Sequence, residues 1–300
     1  MHSFLKSIGF SDVNSQVEIN NLVKDVLQKA DTVKEVSSDN GTRYAEYKKC
    51  YAQDVGVTVC GEKDEKGNFH FSHMFPFIDG GNISCSNEEV FINKKVDSDS
   101  YTGMIDDSRV GVSLIFFIQN VAEYLEYRKD YRGICKESVS LAALAREGKI
   151  ILPTEQRVMS KVHSKMDDDN KKKVKLIEEA KKGDPGAIDA LTMNDIDRYA
   201  AVTERIKHED LFSIVDTSFI PFGSESDVYS ILCNIVSARQ LYNTESGERI
   251  WQMNCICNGV ALDICINDAN LLGVPMPGMR FRGNVWMQGR IEFLDSLPFS

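Results

Sequence analysis

Long apolar runs are missing from this sequence. The most apolar stretch, VGVSLIFFI at Val110–Ile118, is far shorter than the roughly 20 residues that a membrane-spanning helix needs. It has the length of a buried strand. The start of the chain, MHSFLKSIGF, lacks the apolar core and the small-residue cleavage site of a secretory signal. These absences predict a protein of the cytoplasm.

Paired metal-binding or redox cysteines are also missing. The eight cysteines include no CxxC motif and lie inside apolar stretches, which predicts reduced, buried thiols. Cys255 and Cys257 share a strand face and Cys265 follows in the next strand, but a structural zinc site needs a fourth ligand. His70 and His73, three apart in a strand, are predicted to lie on opposite faces. We therefore expect neither a metal nor a cofactor. The cysteines are Cys50, Cys60, Cys85, Cys135, Cys233, Cys255, Cys257 and Cys265.

The sequence has little positive charge. The 35 Lys and Arg residues face 45 Asp and Glu residues, which gives a formal net charge of -10. General nucleic-acid affinity depends on neutralising phosphates with Lys and Arg, so the balance disfavours a general polyanion binder and leaves only a local basic patch open. The signatures GxxxxGK[ST], GxSxG and HExxH are absent, as is a GxGxxG after a strand. Nothing in the sequence argues for an enzyme.

Residues 1–153 carry the patterns of an α+β domain with a mostly antiparallel sheet. An amphipathic stripe predicts a helix over Val17–Asp31. Two strand-like stretches flank the turn Lys66-Gly67-Asn68, which predicts a hairpin. The apolar stretch Val110–Ile118 is the candidate for a central strand. SVSLAALAREGKIILP ends the region with one more strand.

Residues 154–221 form a charged stretch that predicts two or three connecting helices. KMDDDNKKKVKLIEEAKKGDPG has few apolar anchors, and Asp184-Pro185 suits a helix start. Thr192 with Asp195 resembles a capping box. The charges are interpreted as a solvated helical face, and an interaction tail is the alternative.

Residues 222–300 predict a small β-domain of OB type. YSILCNIVSARQLYN, ERIWQMNCIC and VALDICIN read as three meander strands, the last two joined by Asn258-Gly259, the strongest two-residue hairpin signal. DANLLG predicts a short helix, and a strand follows. This is the order of an OB barrel, although a fifth strand is missing. It could come from Phe212–Ile220, or the barrel could be open.

That last strand has an unusual outward face. In GMRFRGNVWMQGRIEF the apolar residues alternate with polar ones and should point into the barrel. Arginines beside a tryptophan are typical of single-stranded nucleic-acid binding. The favoured interpretation, however, is that acidic residues of the connector cover the tryptophan and pair with the arginines; they are Asp195, Asp197, Glu204, Glu209 and Asp210. The candidate binding or interface residues are Arg280, Arg282, Trp286 and Arg290.

A second, weaker candidate site precedes the central strand. Asp106, Asp107 and Arg109 could form an acid-base site in which one carboxylate raises the pKa of the other. The simpler interpretation is a turn, because Asp and Ser side chains bond their own backbone.

Five stretches carry a resemblance to a known family. They are MHSFLKSIGF, YTGMIDDSRVGVSLIFFIQN, SVSLAALAREGKIILP, GDPGAIDALTMNDIDRYAAVTERIKHEDLFSIVDTSFIPFG and CINDANLLGVPMPGMRFRGNVWMQGRIEF. Through them the chain resembles, nearly end to end, an uncharacterised family of clostridial-type Firmicutes proteins defined as a domain of unknown function. The resemblance implies a cytosolic bacterial protein. It brings no reaction, ligand or catalytic residue with it.

The favoured function is therefore a non-catalytic binding or scaffolding protein of the cytoplasm with an unknown protein partner. The alternatives are a single-stranded nucleic-acid binder that uses residues 222–300, and an enzyme with its site near Asp106, Asp107 and Arg109.

Overall fold

The structure is a computed structural model. It describes residues 2–37, 42–81, 84–95, 100–107, 109–110, 112–130, 136–153, 186, 216–223 and 226–293. Within these ranges the chain is mostly β, with two α-helices and two 3₁₀ helices. None of the helices in this part of the chain is long and apolar enough to cross a membrane. Most of the predicted connector, and with it Asp184, Thr192 and the acidic residues from Asp195 to Asp210, lies outside the described residues.

The first sheet is an antiparallel meander. Its strands are β1 (Thr32–Ser37), β2 (Arg43–Ala52), β3 (Val55–Lys63) and β4 (Phe69–Ile78), in that spatial order. Gly67 adopts a positive φ of 83° between β3 and β4, so the hairpin predicted at Lys66-Gly67-Asn68 is confirmed.

Helix α1 (Gln16–Gln28) precedes the sheet and packs on β2 and β3. Ser15 and Glu18 form a capping box that bonds the free N–H groups at its start. Leu22 and Val26, one helical turn apart, are buried. The helix predicted over Val17–Asp31 is therefore confirmed, with an earlier end at Gln28.

The second sheet contains the remaining strands. In chain order they are β5 (Cys85–Glu89), β6 (Phe91–Lys94), β7 (Tyr101–Asp107), β8 (Val112–Ile118), β9 (Lys136–Ile151), β10 (Ser218–Pro221), β11 (Val228–Tyr242), β12 (Arg249–Cys257), β13 (Val260–Asn267), β14 (Leu271–Leu272) and β15 (Arg280–Glu292). Helix α2 (Val121–Asp130) follows β8, and 3₁₀ helices span His2–Ile8 and Asp268–Asn270.

Five of these strands close into a barrel. Its order is β11, β12, β13, β9 and β15, and β15 pairs back onto β11. The fifth strand is β9, which runs parallel to β13 and antiparallel to β15. Neither sequence-based alternative is right: the barrel is closed, and among the described residues Ser218–Pro221 pairs with β11 and does not complete the barrel. The boundary predicted after residue 153 thus falls between strands of one barrel, and the division into domains stays a prediction.

The turn between β12 and β13 has the predicted geometry. Asn258 and Gly259 have positive φ angles of 49° and 81°, and Cys257 pairs directly with Val260. Positive φ at both central positions matches the right-handed twist of the flanking strands, which explains the Asn-Gly pair. The tight hairpin is confirmed.

Apolar side chains fill the barrel at close approach. The Phe281 ring on β15 lies very close to Gly148 on β9: a Cβ atom at Gly148 would be 2.3 Å from the ring. The side chains of Phe281, Val285, Met287 and Ile291 are all buried, as the alternation along β15 predicts. Among the described thiols, Cys60, Cys233, Cys255, Cys257 and Cys265 are buried and Cys50 is exposed.

Candidate functional site

The polar site predicted at Asp106, Asp107 and Arg109 is a structural contact. Asp107 is buried, and its carboxylate accepts hydrogen bonds from the Arg109 side-chain Nε at 2.9 and 3.0 Å. The same guanidinium donates to the backbone oxygens of Gly259 and Ser84, both at 2.9 Å. Asp106 is exposed on the other strand face and bonds Ser113. The two carboxylates therefore do not form a pair.

Trp286 is buried between the two sheets. Its side chain is 3% exposed, and its ring contacts those of Phe4 and Phe117 at centroid distances of 5.4 and 5.0 Å. The indole Nε1 donates to Asp227 at 3.2 Å. The protein itself buries this tryptophan in the described residues. The cover comes from the N-terminal 3₁₀ helix and from β8; the proposed contribution of the connector lies outside the described residues.

The three arginines of the same strand face have different surroundings. Arg280 is buried, and its guanidinium donates to the backbone oxygen of Leu152 at 2.9 and 3.1 Å. Arg282 is partly buried. Arg290 Nη2 donates to both carboxylate oxygens of Glu123 at 2.8 and 2.9 Å. Of the four predicted residues, Arg290 lines the concave site described next.

That site is a cleft between the first sheet and the barrel, which we call the polar cleft. It is small, with a cavity volume of about 40 Å³. One wall is the inner face of β1–β4, and the other is formed by β15, the end of β8 and α2. The lining residues are Thr32, Lys34, Glu46, Lys48, Thr58, Phe75, Phe77, Asp79, Gln119, Asn120, Glu123 and Arg290.

Three cations of the polar cleft are held by two carboxylates. Lys34 and Arg290 both pair with Glu123. Lys48 bonds Asp79 at 2.6 and 2.7 Å and lies 4.2 Å from the centre of the Phe77 ring. Burial acts to raise the pKa of Glu123, but the hydrogen bonds from Lys34 and Asn120 outweigh it and lower that pKa. These pairs fix the rim of the cleft.

Glu46 is a buried carboxyl group without a cation of its own. It is 7% exposed, and its Oε1 accepts a hydrogen bond of 3.0 Å from the backbone N–H of Ala122, in the first turn of α2. Within the described part of the chain, no Lys, Arg or His nitrogen lies within 4 Å of its oxygens. Burial raises the pKa of Glu46 to about 7; the Ala122 N–H, the neighbouring Tyr44 hydroxyl and the charge of Lys34 oppose the shift, and Glu123 adds to it.

Thr58 and Gln119 bring further oxygen atoms to the polar cleft. Thr58 is 3% exposed, and its hydroxyl has no hydrogen-bond partner among the described residues. The Gln119 amide nitrogen donates to the oxygens of Ile78 and Gln288 at 3.0 and 2.8 Å. Both bonds use the nitrogen, so the amide oxygen of Gln119 stays available. Gln288 is itself fixed by a 2.8 Å bond to the Pro76 oxygen.

The histidine pair differs from its prediction. A β-bulge skips Ser72, so that His73 pairs with Cys60 and His70 with Glu62. The two histidines therefore share a sheet face, and the prediction of opposite faces is wrong, because the extra residue shifts the alternation. In the described ranges no group of three or more metal-ligating side chains comes together.

Sequence reasoning missed Lys34, Glu46, Lys48, Thr58 and Glu123. The alternation of Tyr44, Glu46 and Lys48 along RYAEYKK was a weak signal, because a charged strand face normally indicates solvent. The register of β2 places Glu46 opposite Lys34 and Cys60, and Lys48 opposite Thr58. Burial of that face by the barrel turns it into a site.

Comparisons with known proteins identify a family and no function. No curated protein and no solved structure matches the chain. A family model described as "Domain of unknown function, E. rectale Gene description (DUF3881)" matches residues 5–289. The resemblance to a clostridial-type family of unknown function is thereby confirmed. The match covers nearly the whole chain, and the protein belongs to the DUF3881 family.

Proposed function

We propose that this protein is a non-catalytic binding protein of the cytoplasm that holds a small polar ligand in the polar cleft. The observation that carries the proposal is Thr58, which lines the cleft, is 3% exposed as a residue and makes no side-chain hydrogen bond to the described residues. The Thr58 hydroxyl is not among the fully enclosed polar atoms, so solvent reaches it from the cleft, and a hydrogen bond to a ligand there contributes about 0.5–1.5 kcal/mol net.

The lining chemistry favours binding over catalysis. The lining includes no Ser, Cys or His, its lysines are held in ion pairs, and the Thr58 hydroxyl has no base within hydrogen-bond distance among the described residues. The ion pairs at the rim keep their charged groups in place and so pre-organise the cleft for recognition. The protein partner expected from the sequence stays a prediction.

The proposal also includes a cytoplasmic location and an α+β fold with an OB-like barrel, and features outside the cleft support both. Buried free thiols at Cys60, Cys233 and Cys265 suit a reducing compartment. The barrel order, with β13 parallel to β9 and β15 paired to β11, supports an OB-like barrel, and α1 on the first sheet supports an α+β class. Trp286 gives the nucleic-acid alternative no exposed stacking platform.

The test compares wild-type protein with Thr58→Val. Immobilised protein is incubated with the small-molecule fraction of a bacterial extract, and the retained compounds are identified by mass spectrometry. We expect wild type to enrich a compound that Thr58→Val retains about fivefold less, since a typical hydrogen bond is worth about 1 kcal/mol.

Thr102→Val is the matched control for this experiment. Thr102 lies on β7, and its hydroxyl bonds the Asn93 backbone oxygen away from the cleft. The control should retain the compound as wild type does. Identical retention by wild type and Thr58→Val would contradict the proposal, as would retention that depends on Arg282 and is unaffected at Thr58.

A further inference from the structure

The available atoms of the polar cleft are mostly oxygen acceptors. Glu46 has acceptor positions beyond the bond from Ala122 and the contact with the Tyr44 hydroxyl, Gln119 has its amide oxygen, and Thr58 has its hydroxyl oxygen. On the assumption that the proposed binding function holds, we propose that the cleft recognises a small zwitterion of the amino-acid class. Its primary ammonium group bonds these three residues, and its carboxylate contacts the cations at the rim.

The ammonium end follows from the unpaired carboxylate. A buried carboxylate is stable only with a cation or with hydrogen bonds, because desolvation penalises its charge. The nearest lysines are already held by Glu123 and Asp79, so neither pairs with Glu46. A primary ammonium group has three N–H donors, which matches three acceptor residues. The Phe75 and Phe77 side chains beside them provide apolar contact for a short carbon skeleton.

The carboxylate end follows from the charge balance. Lys34, Lys48 and Arg290 carry three positive charges, and ionised Glu46, Asp79 and Glu123 carry three negative ones. A ligand with both charges leaves this balance unchanged, whereas a simple amine or a simple acid alters it. Arg290 uses Nη2 for Glu123 and Nε for Glu292. Its Nη1 has no partner within the described ranges and is a donor for a carboxylate.

Binding of the ammonium group should release a proton from Glu46. The charged or titratable groups around this carboxyl are Lys34, Tyr44, Lys48, Cys60, His73, Asp79, Glu123 and Arg290. The Glu46 carboxyl has a pKa of about 7, and the ammonium group binds only the ionised form. Affinity therefore rises with pH through about 7, and the dissociation constant should be about tenfold larger at about pH 6 than at about pH 8.

The experiment measures L-alanine binding to the full chain by isothermal titration calorimetry at both pH values. Three probes lack one recognised feature each: propionate lacks the ammonium group, ethylamine lacks the carboxylate, and N,N,N-trimethylglycine has no N–H donors. We expect L-alanine to bind at least about tenfold more tightly than any of them, since each lost charged hydrogen bond is worth about a factor of ten. Glu46→Gln should weaken L-alanine binding and abolish its pH dependence.

The outcomes separate the ligand class from the binding function. Preference for propionate, or affinity that rises as pH falls, would overturn the zwitterion and leave the cleft as a site for an anion. Equal binding of L-alanine by wild type, Glu46→Gln and Thr58→Val would place the ligand elsewhere. If no probe binds but the extract experiment still yields a compound whose retention depends on Thr58, the zwitterion class is refuted and the binding function stands. Circular dichroism of each variant shows whether it is folded.

Discussion

Glu46 combines a binding role with a cost in stability. The carboxyl is buried against the first turn of α2 and has no cation within 4 Å in the described ranges, so its charge is poorly compensated. Ordinary strand faces avoid this arrangement. At the residue scale, the polar cleft is therefore a place where folding and recognition make opposite demands on one side chain.

The stability cost of Glu46 should depend on pH. Its pKa is raised from 4.5 to about 7, so the folded state binds the proton more tightly than the unfolded state. The resulting stability is fully present below about pH 4.5 and is lost as pH rises through about 7. The difference corresponds to about 3 kcal/mol.

Glu46→Gln removes this titration and keeps the acceptor for Ala122. We expect the variant to be more stable than wild type by up to about 3 kcal/mol at about pH 8 and nearly equal to it at about pH 4.5. Urea denaturation at several pH values measures the difference. If the difference in unfolding free energy between the two proteins does not change with pH, the charge of Glu46 is already compensated in the folded state.

Trp286 gives a second residue-scale prediction. Its ring packs against Phe4 and Phe117 with 3% exposure, so Trp286→Ala should cost about 3–5 kcal/mol of stability. Trp286→Phe keeps most of the packing and loses the bond to Asp227, and it should cost clearly less. An unchanged melting temperature for Trp286→Ala would contradict the buried position.

At the element scale, local signals were predictable and long-range pairing was not. The Asn258-Gly259 turn, the Lys66-Gly67-Asn68 turn and helix α1 depend on neighbouring residues, and all three were predicted. The fifth barrel strand, Lys136–Ile151, pairs with residues more than a hundred positions away, which no local pattern indicates. The bulge at Ser72 was missed for the same reason, since only the partner strand reveals it.

Gly259→Val tests the turn that orders β12 and β13. Gly259 has a φ of 81°, and a β-branched residue there is strained by about 1–3 kcal/mol. Gly81→Val is the control, because a Cβ at Gly81 meets nothing within 4 Å. Thermal melts should show a loss for Gly259→Val and little change for Gly81→Val. Equal melting temperatures would mean that the turn tolerates a valine.

At the scale of the whole molecule, the candidate site exists because two sheets meet. The sequence pattern of β2 indicates a charged, solvent-facing strand face, but that face becomes one wall of a cleft because the barrel packs against it. Arg290 was identified from the alternation along β15, but its partner Glu123 comes from α2. The residues of the cleft come from separate stretches of the chain. Sequence patterns could therefore identify single residues of the site but not how they come together.

The central claim is that the polar cleft binds a small polar ligand, and an amide chemical-shift map tests it most directly. Isotope-labelled protein is titrated with the small-molecule fraction of a bacterial extract. Binding in the cleft predicts shifts at Glu46, Thr58 and Ala122, whose backbone N–H is bonded to Glu46. In Thr58→Val the shifts at Glu46 and Ala122 should be much smaller. The claim would be contradicted if the amide signals of these residues did not move and only residues on the outer surface of the barrel showed shifts.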